Sequence, residues 1–270
     1  MQTFDYIRPS SVGEAGAILV ANADAKPLAG GMTLIPAMKL RLAAPSALID
    51  LASLPQLSGI TTDGRSITIG AMTRHCDVAA SADVHRLMPA LADLAGGIGD
   101  AQVRNRGTLG GAIANNDPSA CYPAAVLGLG ATVTTNRRAI AGDAFFTGMF
   151  ETALDAGEIV TAVTFPVPVA ATYEKFRSPA SRYALVGVFV ARLASGVRVA
   201  ITGAGSCVFR ATAIEAALTE KFAVEAIAGL RFSPEGLNAD MHGDAQYRAQ
   251  LVSVLTKRAV AKLVANGRAP

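Results

Sequence analysis

Two short glycine loops carry most of the chemistry legible in this 270-residue sequence. The first, Ala29-Gly30-Gly31-Met32-Thr33, lies between an expected short strand over Pro27-Leu28-Ala29 and an expected short helix from Thr33 to about Leu40. Glycine has no Cβ, so the backbone there can approach an anion closely. The helix start adds the positive end of its dipole, and the Thr33 hydroxyl can donate to a phosphate oxygen. The second, Thr108-Leu109-Gly110-Gly111-Ala112, follows Arg104-Asn105-Arg106-Gly107 and repeats the threonine and the glycine pair. A single Gly-Gly pair is most often a tight turn. Two of them, each with a threonine in or beside the pair, are what a diphosphate held from both sides requires. On the residues alone, a bound dinucleotide and a pair of ordinary turns both remain open.

Other chemistries find less support. No G-x-G-x-x-G follows a strand and opens a helix; Gly96-Gly97-Ile98-Gly99 has the wrong spacing and no acidic partner, and there is no P-loop. A nicotinamide-binding Rossmann domain is therefore not expected. Cys76, Cys121 and Cys207 are too far apart for a C-x-x-C metal knuckle and form no disulfide framework, so they read as buried thiols in a reducing compartment. His75, His85 and His242 are scattered and read as surface or helix residues rather than members of a catalytic triad. No acid–base pair accompanies either glycine loop.

The elements that must hold these loops can be read in outline. Ser11-Val12-Gly13-Glu14 has the form of a capping box opening a helix to about Ala21. Strands are expected at 47–51, 66–69 and 131–134, and helices at 86–95 and 123–129. Phe165-Pro166-Val167-Pro168-Val169 reads as a boundary, because proline disfavours continued helix or central strand. It divides the chain into a larger part, 1–168, and a smaller one, 169–270. The second part is expected to hold a hairpin, 184–193 with 197–202, and a final helix over about 245–264 whose apolar face is Leu251, Val254, Leu255 and Leu263.

Composition sets the outer limits. Apolar residues make up 51% and charged ones 17%, and mean hydropathy is +0.37, so the chain can bury a substantial core and is not disordered. Aromatics are only 6% with no tryptophan, which implies a core of Ala, Val, Leu and Ile and leaves apolar surface for partner subunits. The net charge of +3 comes with no basic stripe, so nucleic acid is not an expected partner. The run Cys121 to Val133 is broken by Pro123, Gly128 and Gly130, too interrupted to span a membrane. The first ten residues carry Asp5 and Arg8 without an apolar run, and the expected location is the cytoplasm.

At the glycine loops the sequence resembles the FAD-binding medium subunit of the molybdenum hydroxylases, the group containing carbon monoxide dehydrogenase, xanthine dehydrogenase and the nicotine, caffeine and isoquinoline-type dehydrogenases. The matching segments are Pro27 to Pro36, Ile69-Gly70-Ala71-Met72-Thr73, Gln102 to Gly111 and Tyr173-Glu174-Lys175-Phe176. The resemblance spans nearly the whole chain and is strongest between about 27 and 130. It implies an α+β fold: a two-subdomain FAD-binding domain of the vanillyl-alcohol-oxidase type over 1–168, and a small C-terminal sheet-and-helix domain over 169–270.

The resemblance also implies roles. Ala29, Gly30, Gly31, Met32 and Thr33, with Thr108, Leu109, Gly110, Gly111 and Ala112, would hold the FAD diphosphate and its neighbouring sugar atoms. Ile98 would make a flavin contact, and Lys175 and Tyr183 would approach the isoalloxazine ring, where a cation or phenol tunes the flavin potential. On residues alone, Tyr183 reads equally well as a core tyrosine and Lys175 as a solvated strand residue. Three positions depart from the pattern: Met32 where relatives have His or Gln, Ala112 where Asn, Ser or Asp is common, and Cys121 where many have an aspartate contacting the cofactor, with Asp117 nearby. No histidine stands at position 32 or in either loop, so noncovalent FAD is expected.

The implied function is that of a redox subunit. Substrate would be hydroxylated at a molybdenum cofactor in a large subunit, and electrons would pass through two [2Fe-2S] clusters in a small subunit to this FAD and on to an external acceptor. The expected assembly is a dimer of heterotrimers. A stand-alone flavin oxidase of the vanillyl-alcohol type, and a scaffold that has lost FAD, are the alternatives.

Overall fold

The computed structural model describes residues 2–267. The chain opens with β1 (Asp5–Ile7), α1 (Val12–Ala21), β2 (Lys26–Leu28), α2 (Leu34–Lys39) and β3 (Ala47–Asp50). The strands form a small parallel sheet in the order β1-β3-β2, and the helices are the crossovers that parallel pairing needs. Ser11 caps α1 by accepting from the Glu14 amide at 3.1 Å. Glu14 does not complete the expected capping box with Ser11; its carboxylate accepts from the amide and hydroxyl of Ser10, at 2.7 and 2.6 Å.

Next come β4 (Ile60–Thr62) and β5 (Ser66–Gly70), then a run of helices: α3 (His75–Ala80), α4 (Ala82–Leu87), α5 (Pro89–Gly96), α6 (Ala101–Arg106), α7 (Leu109–Asn115) and α8 (Tyr122–Gly128). The single helix expected over 86–95 is in fact two. Met88 leaves helical backbone (φ −149°, ψ 61°) and Pro89 opens the second helix, because proline disfavours helical backbone in the residue before it. The segment ends with β6 (Thr132–Thr135), β7 (Ala139–Ala141), α9 (Gly142–Phe145), β8 (Phe146–Gly148), β9 (Glu151–Thr152) and β10 (Val160–Pro166).

A five-stranded antiparallel sheet results, ordered β4-β5-β10-β6-β7, with β8 and β9 as a separate hairpin. Ile67 and Ile69 on β5 and Val163 and Phe165 on β10 are fully buried. On the other face Thr68 and Thr164, directly opposite in register, share a 2.9 Å hydroxyl contact. Strand β10 is central yet ends in Pro166. Its pairing with β6 stops at Thr164, so the last two residues face β5 alone and the missing amide proton costs no ladder bond on the β6 side.

The remainder is a four-stranded antiparallel sheet, β11 (Ala170–Arg177), β12 (Ala184–Leu193), β13 (Gly196–Thr202) and β14 (Phe209–Arg210), with α10 (Thr212–Glu220) and α11 (Ala245–Ala265). Helices α5 and α8 contact this sheet as well as α10 and α11. Strand β12 is therefore covered on both sides, which explains its unbroken apolar run. Phe189 and Ala191 join the core shared with the first part, whereas Val186, Val188 and Val190 join a second core under α11. The register shifts where Phe176 faces Val186 and Arg177 faces Ala184, leaving Leu185 as the extra residue. This bulge exchanges the faces, so Ala184 lies in the first core and Leu185 in the second.

Arg248 of α11, buried beneath this sheet, donates to the Leu185 carbonyl at 2.9 Å and the Gly203 carbonyl at 2.8 Å, and pairs with Asp240 at 2.7 Å. It thereby satisfies backbone that the bulge leaves without a strand partner. The buried face of α11 is Leu251, Val252, Leu255, Ala259, Val260 and Leu263. Val254, expected on it, is only half-buried.

Candidate functional site

A cleft of about 980 Å³ is bordered by both glycine loops, by α6 to α8, and by the turn between β11 and β12. That volume lies at the upper end of small-molecule and cofactor sites, about 300–1,000 Å³. The glycines make its walls possible. Gly31 has φ +73°, a conformation that L side chains rarely adopt. Gly30 packs on the backbone of Arg106 and Gly107, and Gly111 packs on the Ala29 methyl, so neither glycine has room for a side chain.

The loops differ in what they offer a ligand. Among the described residues, no acceptor takes the amides of Gly30, Gly31, Met32 or Thr33, and the Thr33 hydroxyl makes no cap bond to α2. These donors are free for an anion. In the second loop the amides from Leu109 to Ala112 are engaged: Leu109 donates to Thr73 O at 3.1 Å, Gly110 to Ala71 O at 2.8 Å, Gly111 to Thr108 Oγ1 at 3.1 Å and Ala112 to Thr108 O at 3.0 Å. The sequence leads one to expect bare backbone in both loops, and the structure supplies it in one. Gly110 has a packing reason instead, since a Cβ there would lie 2.5 Å from the Ala71 side chain.

A polar wall follows from 117 to 121 and across to β11. Thr202 donates to the carbonyls of Pro118 (2.9 Å) and Ala120 (2.7 Å), and the Gly203 amide donates to Pro118 O at 2.7 Å. The second sheet thus clamps this segment. Cys121 is buried, and its Sγ lies 3.3 Å from Lys175 Nζ, which also donates to Gly97 O at 3.2 Å. The Tyr173 hydroxyl is buried beside the thiol with no partner at hydrogen-bonding geometry; desolvation, then the neighbouring Cys121, raise its pKa. Tyr183 is half-exposed, and desolvation and Asp117 raise its phenol pKa too.

The floor holds a further buried pair. His75, under the second loop, stands against Tyr122 with ring centroids 5.3 Å apart. Desolvation, with Arg104 second, pushes the His75 pKa down to about 4. Desolvation likewise raises that of Tyr122. At neutral pH the His75 imidazole and the phenols are uncharged. The arrangement can hold an extended ligand by an anionic portion and a ring.

Comparison with known proteins decides the family. Residues 2–168 match the model for the FAD binding domain in molybdopterin dehydrogenase. The chain belongs to this family. It is 36% identical to the carbon monoxide dehydrogenase medium chain of Hydrogenophaga pseudoflava, over 95% of this chain and 96% of that one. It is 34% identical to the glyceraldehyde dehydrogenase medium chain of Sulfolobus acidocaldarius, over 95% and 96%. The solved structure of carbon monoxide dehydrogenase from Hydrogenophaga pseudoflava, in a form lacking the Mo-pyranopterin moiety, superposes with a TM-score of 0.89 at 37% identity, covering 100% of this chain and 99% of that one. The α+β fold and the FAD-binding domain of a molybdenum hydroxylase oxidoreductase are therefore properties of this chain.

Within this family fold, the residues singled out in the sequence fall as follows. Ala29, Gly30, Gly31, Met32, Thr33, Ile98, Thr108, Gly110, Gly111, Ala112, Cys121, Lys175 and Tyr183 all border the cleft. Leu109 does not; its side chain is fully buried in the core. Tyr183 is no core residue, and Lys175 is no freely solvated one. Two readings change: of the cysteines only Cys121 is buried, Cys76 and Cys207 being partly exposed. His75 is a helix residue, the first of α3, with its side chain buried at the cleft. Phe150, Tyr122 and Val160 also border the cleft, and nothing local in their sequence marks them. Among the described residues no helix is long and apolar enough to cross a membrane.

Proposed function

We propose that this chain is the FAD-carrying electron-transfer subunit of a molybdenum-dependent hydroxylase, standing between the [2Fe-2S] clusters of a small partner subunit and an external acceptor. The observation that carries the reading is the free donor set of Gly30 to Thr33 at one cleft that also holds Lys175, Tyr183 and Ile98. A diphosphate fits four unengaged amides, and a large planar ring fits a wall that carries aromatic side chains and the Lys175 amine.

In this reading the amides and hydroxyl of the first loop hold the diphosphate. Thr108, Gly110, Gly111 and Ala112 shape the facing wall, Leu109 anchors that wall from the core, and Met32 flanks the loop. Ile98, Cys121, Lys175 and Tyr183 line the ring. When bound, FAD supplies one- and two-electron redox chemistry. Lys175 places positive charge beside it, and the first loop excludes water from the diphosphate. The attachment is noncovalent.

The chain works as two units, 1–168 and 169–270, with the molybdenum cofactor in a large partner and the clusters in the small one. The complex is a dimer of heterotrimers in the cytoplasm. Support for placing substrate chemistry elsewhere comes from the relatives: medium chains named for carbon monoxide and for glyceraldehyde share this fold at similar identity, so the substrate is not set here.

The test uses the full chain with FAD. Acid precipitation should release all flavin into the supernatant, dithionite should bleach it, and the substrate of the assembled complex should bleach it only after the large and small subunits are added. Bleaching by substrate with this chain alone, with no iron or molybdenum detected, overturns the reading.

A further inference from the structure

Backbone strain collects at the rim of the cleft. Four non-glycine residues have positive φ among the described residues: Arg41, Asn116, Phe150 and Arg182. Phe150 (φ 57°) and Arg182 (φ 61°) border the cleft, and Asn116 (φ 43°) lies between the bordering residues Asn115 and Asp117. A bulky side chain in the left-handed region is an outlier that persists only where its surroundings over-determine it.

At Phe150 the over-determining residue is Asn116. It is fully buried, and its Nδ2 donates to the carbonyls of Gly148 at 2.8 Å and Glu151 at 2.7 Å, on either side of the hairpin tip between β8 and β9. Its own carbonyl accepts from the Phe150 amide at 3.2 Å. What this clamp presents is an aromatic ring left 56% exposed. Burial of a phenylalanine is favourable, so the fold maintains a strained conformation to keep a ring out of its own core and at the cleft.

We propose that Phe150 is a flavin contact, its ring packing against the isoalloxazine, and that Asn116 is the positioning residue that presents it. The inference rests on the FAD reading above, which sets the ring beside Lys175 and Tyr183. Asn116 leads directly into the 117–121 wall, where Asp117 is near enough to Tyr183 to act on its phenol and Cys121 meets Lys175. The hairpin tip is therefore tied to the ring end of the cleft. A planar aromatic ligand offers an exposed phenylalanine the offset or edge contact that such rings prefer.

The experiment compares the full chain with its Phe150→Gly and Phe150→Tyr variants. Glycine relieves the positive φ, so the melting temperature of the FAD-free protein should stay level or rise. FAD should bind about tenfold more weakly, and the visible circular dichroism of the bound flavin should change. Tyrosine should retain both affinity and dichroism. ADP, which carries no flavin ring, should bind the glycine variant as it binds the parent. Unchanged FAD affinity and dichroism in the glycine variant would overturn the assignment, leaving the ring to a partner subunit. A parallel loss of ADP affinity would overturn it in favour of the adenine end. A parent that takes up ADP and FAD equally poorly overturns the cofactor reading and this inference with it.

Discussion

A Cβ on Gly30 would lie 2.1 Å from the Arg106 carbonyl oxygen and 2.8 Å from the Gly107 Cα. Both neighbours are backbone, so no rotamer change can make room, and Gly30→Ala must push the two loops apart. Overpacking of that kind costs about 1–3 kcal/mol. The expected result is a melting temperature several degrees lower and protein purified without FAD. Gly31→Ala acts differently, because φ is +73° and the nearest obstacle is the Ile35 side chain at 3.0 Å. It should cost about 1–2 kcal/mol of backbone strain, with Gly31→Asn milder. Calorimetry and flavin content check each; a Gly30→Ala protein equal to the parent in both would show that the loops can part freely.

The glycine pairs were legible because glycine is conspicuous, but their separate reasons were not. Gly31 is needed for its φ, Gly30 for contact with a loop some seventy-five residues later, and Gly110 for contact with Ala71 at the end of β5. Only the assembled fold brings those partners together. The same holds for His75, which begins α3 and lies under the second loop. Strand β12 announces itself by composition. The bulge at Leu185 is visible only once Arg248, sixty-three residues on, is seen to bind its carbonyl. Phe150 gives no local signal, since its position depends on Asn116 thirty-four residues earlier.

His75 should impose a pH dependence on stability. Its pKa in the folded protein is about 4, against about 6.5 in an unfolded chain. Below pH 6.5 the unfolded chain takes up a proton that the folded one refuses. The stabilisation from keeping the ring neutral is therefore complete above pH 6.5 and is lost as pH falls toward 4, with a slope of up to about 1.4 kcal/mol per pH unit. Denaturant melts between pH 7.5 and 4.5 should show a steeper decline for the parent than for His75→Gln. Parallel curves would mean that the imidazole protonates without opening the fold.

Glu158 works in a lower pH range. Its buried carboxylate accepts from Arg138 Nε and Nη2 at 2.9 Å each, from the Asp155 amide at 2.9 Å and from the Thr135 hydroxyl at 2.7 Å. The Arg138 bonds lower its pKa most, desolvation opposes them, and the result is about 2. The folded value lies below the unfolded one, so the contribution is present above about pH 4.5 and is lost as pH falls through 2. Glu158→Gln should be less stable than the parent by about 1–3 kcal/mol at pH 7, and the gap should shrink steadily toward pH 2. A gap that stays constant with pH would show that the hydrogen bonds alone, without the charge, hold this corner.

Lys175 joins three parts of the cleft, because its ammonium bonds both the Gly97 carbonyl in the turn carrying Ile98 and the Cys121 thiol on the opposite segment. Lys175→Met keeps the aliphatic stem and removes the charge. Hydrogen bonds to a charged group are worth about 1.5–3 kcal/mol, so FAD should dissociate roughly tenfold or more faster. Reduction adds negative charge to the flavin, which a nearby ammonium favours, so the midpoint potential of the methionine variant should fall. Cys121→Asp gives an independent reading of the same field. A carboxylate at that distance from Nζ partly cancels its charge, so the potential should also fall while Lys175 stays anchored and FAD stays bound. Redox titration with dyes of known potential measures both variants. If Lys175→Met binds FAD less well but leaves the potential unchanged, the ammonium holds the walls together without acting on the ring.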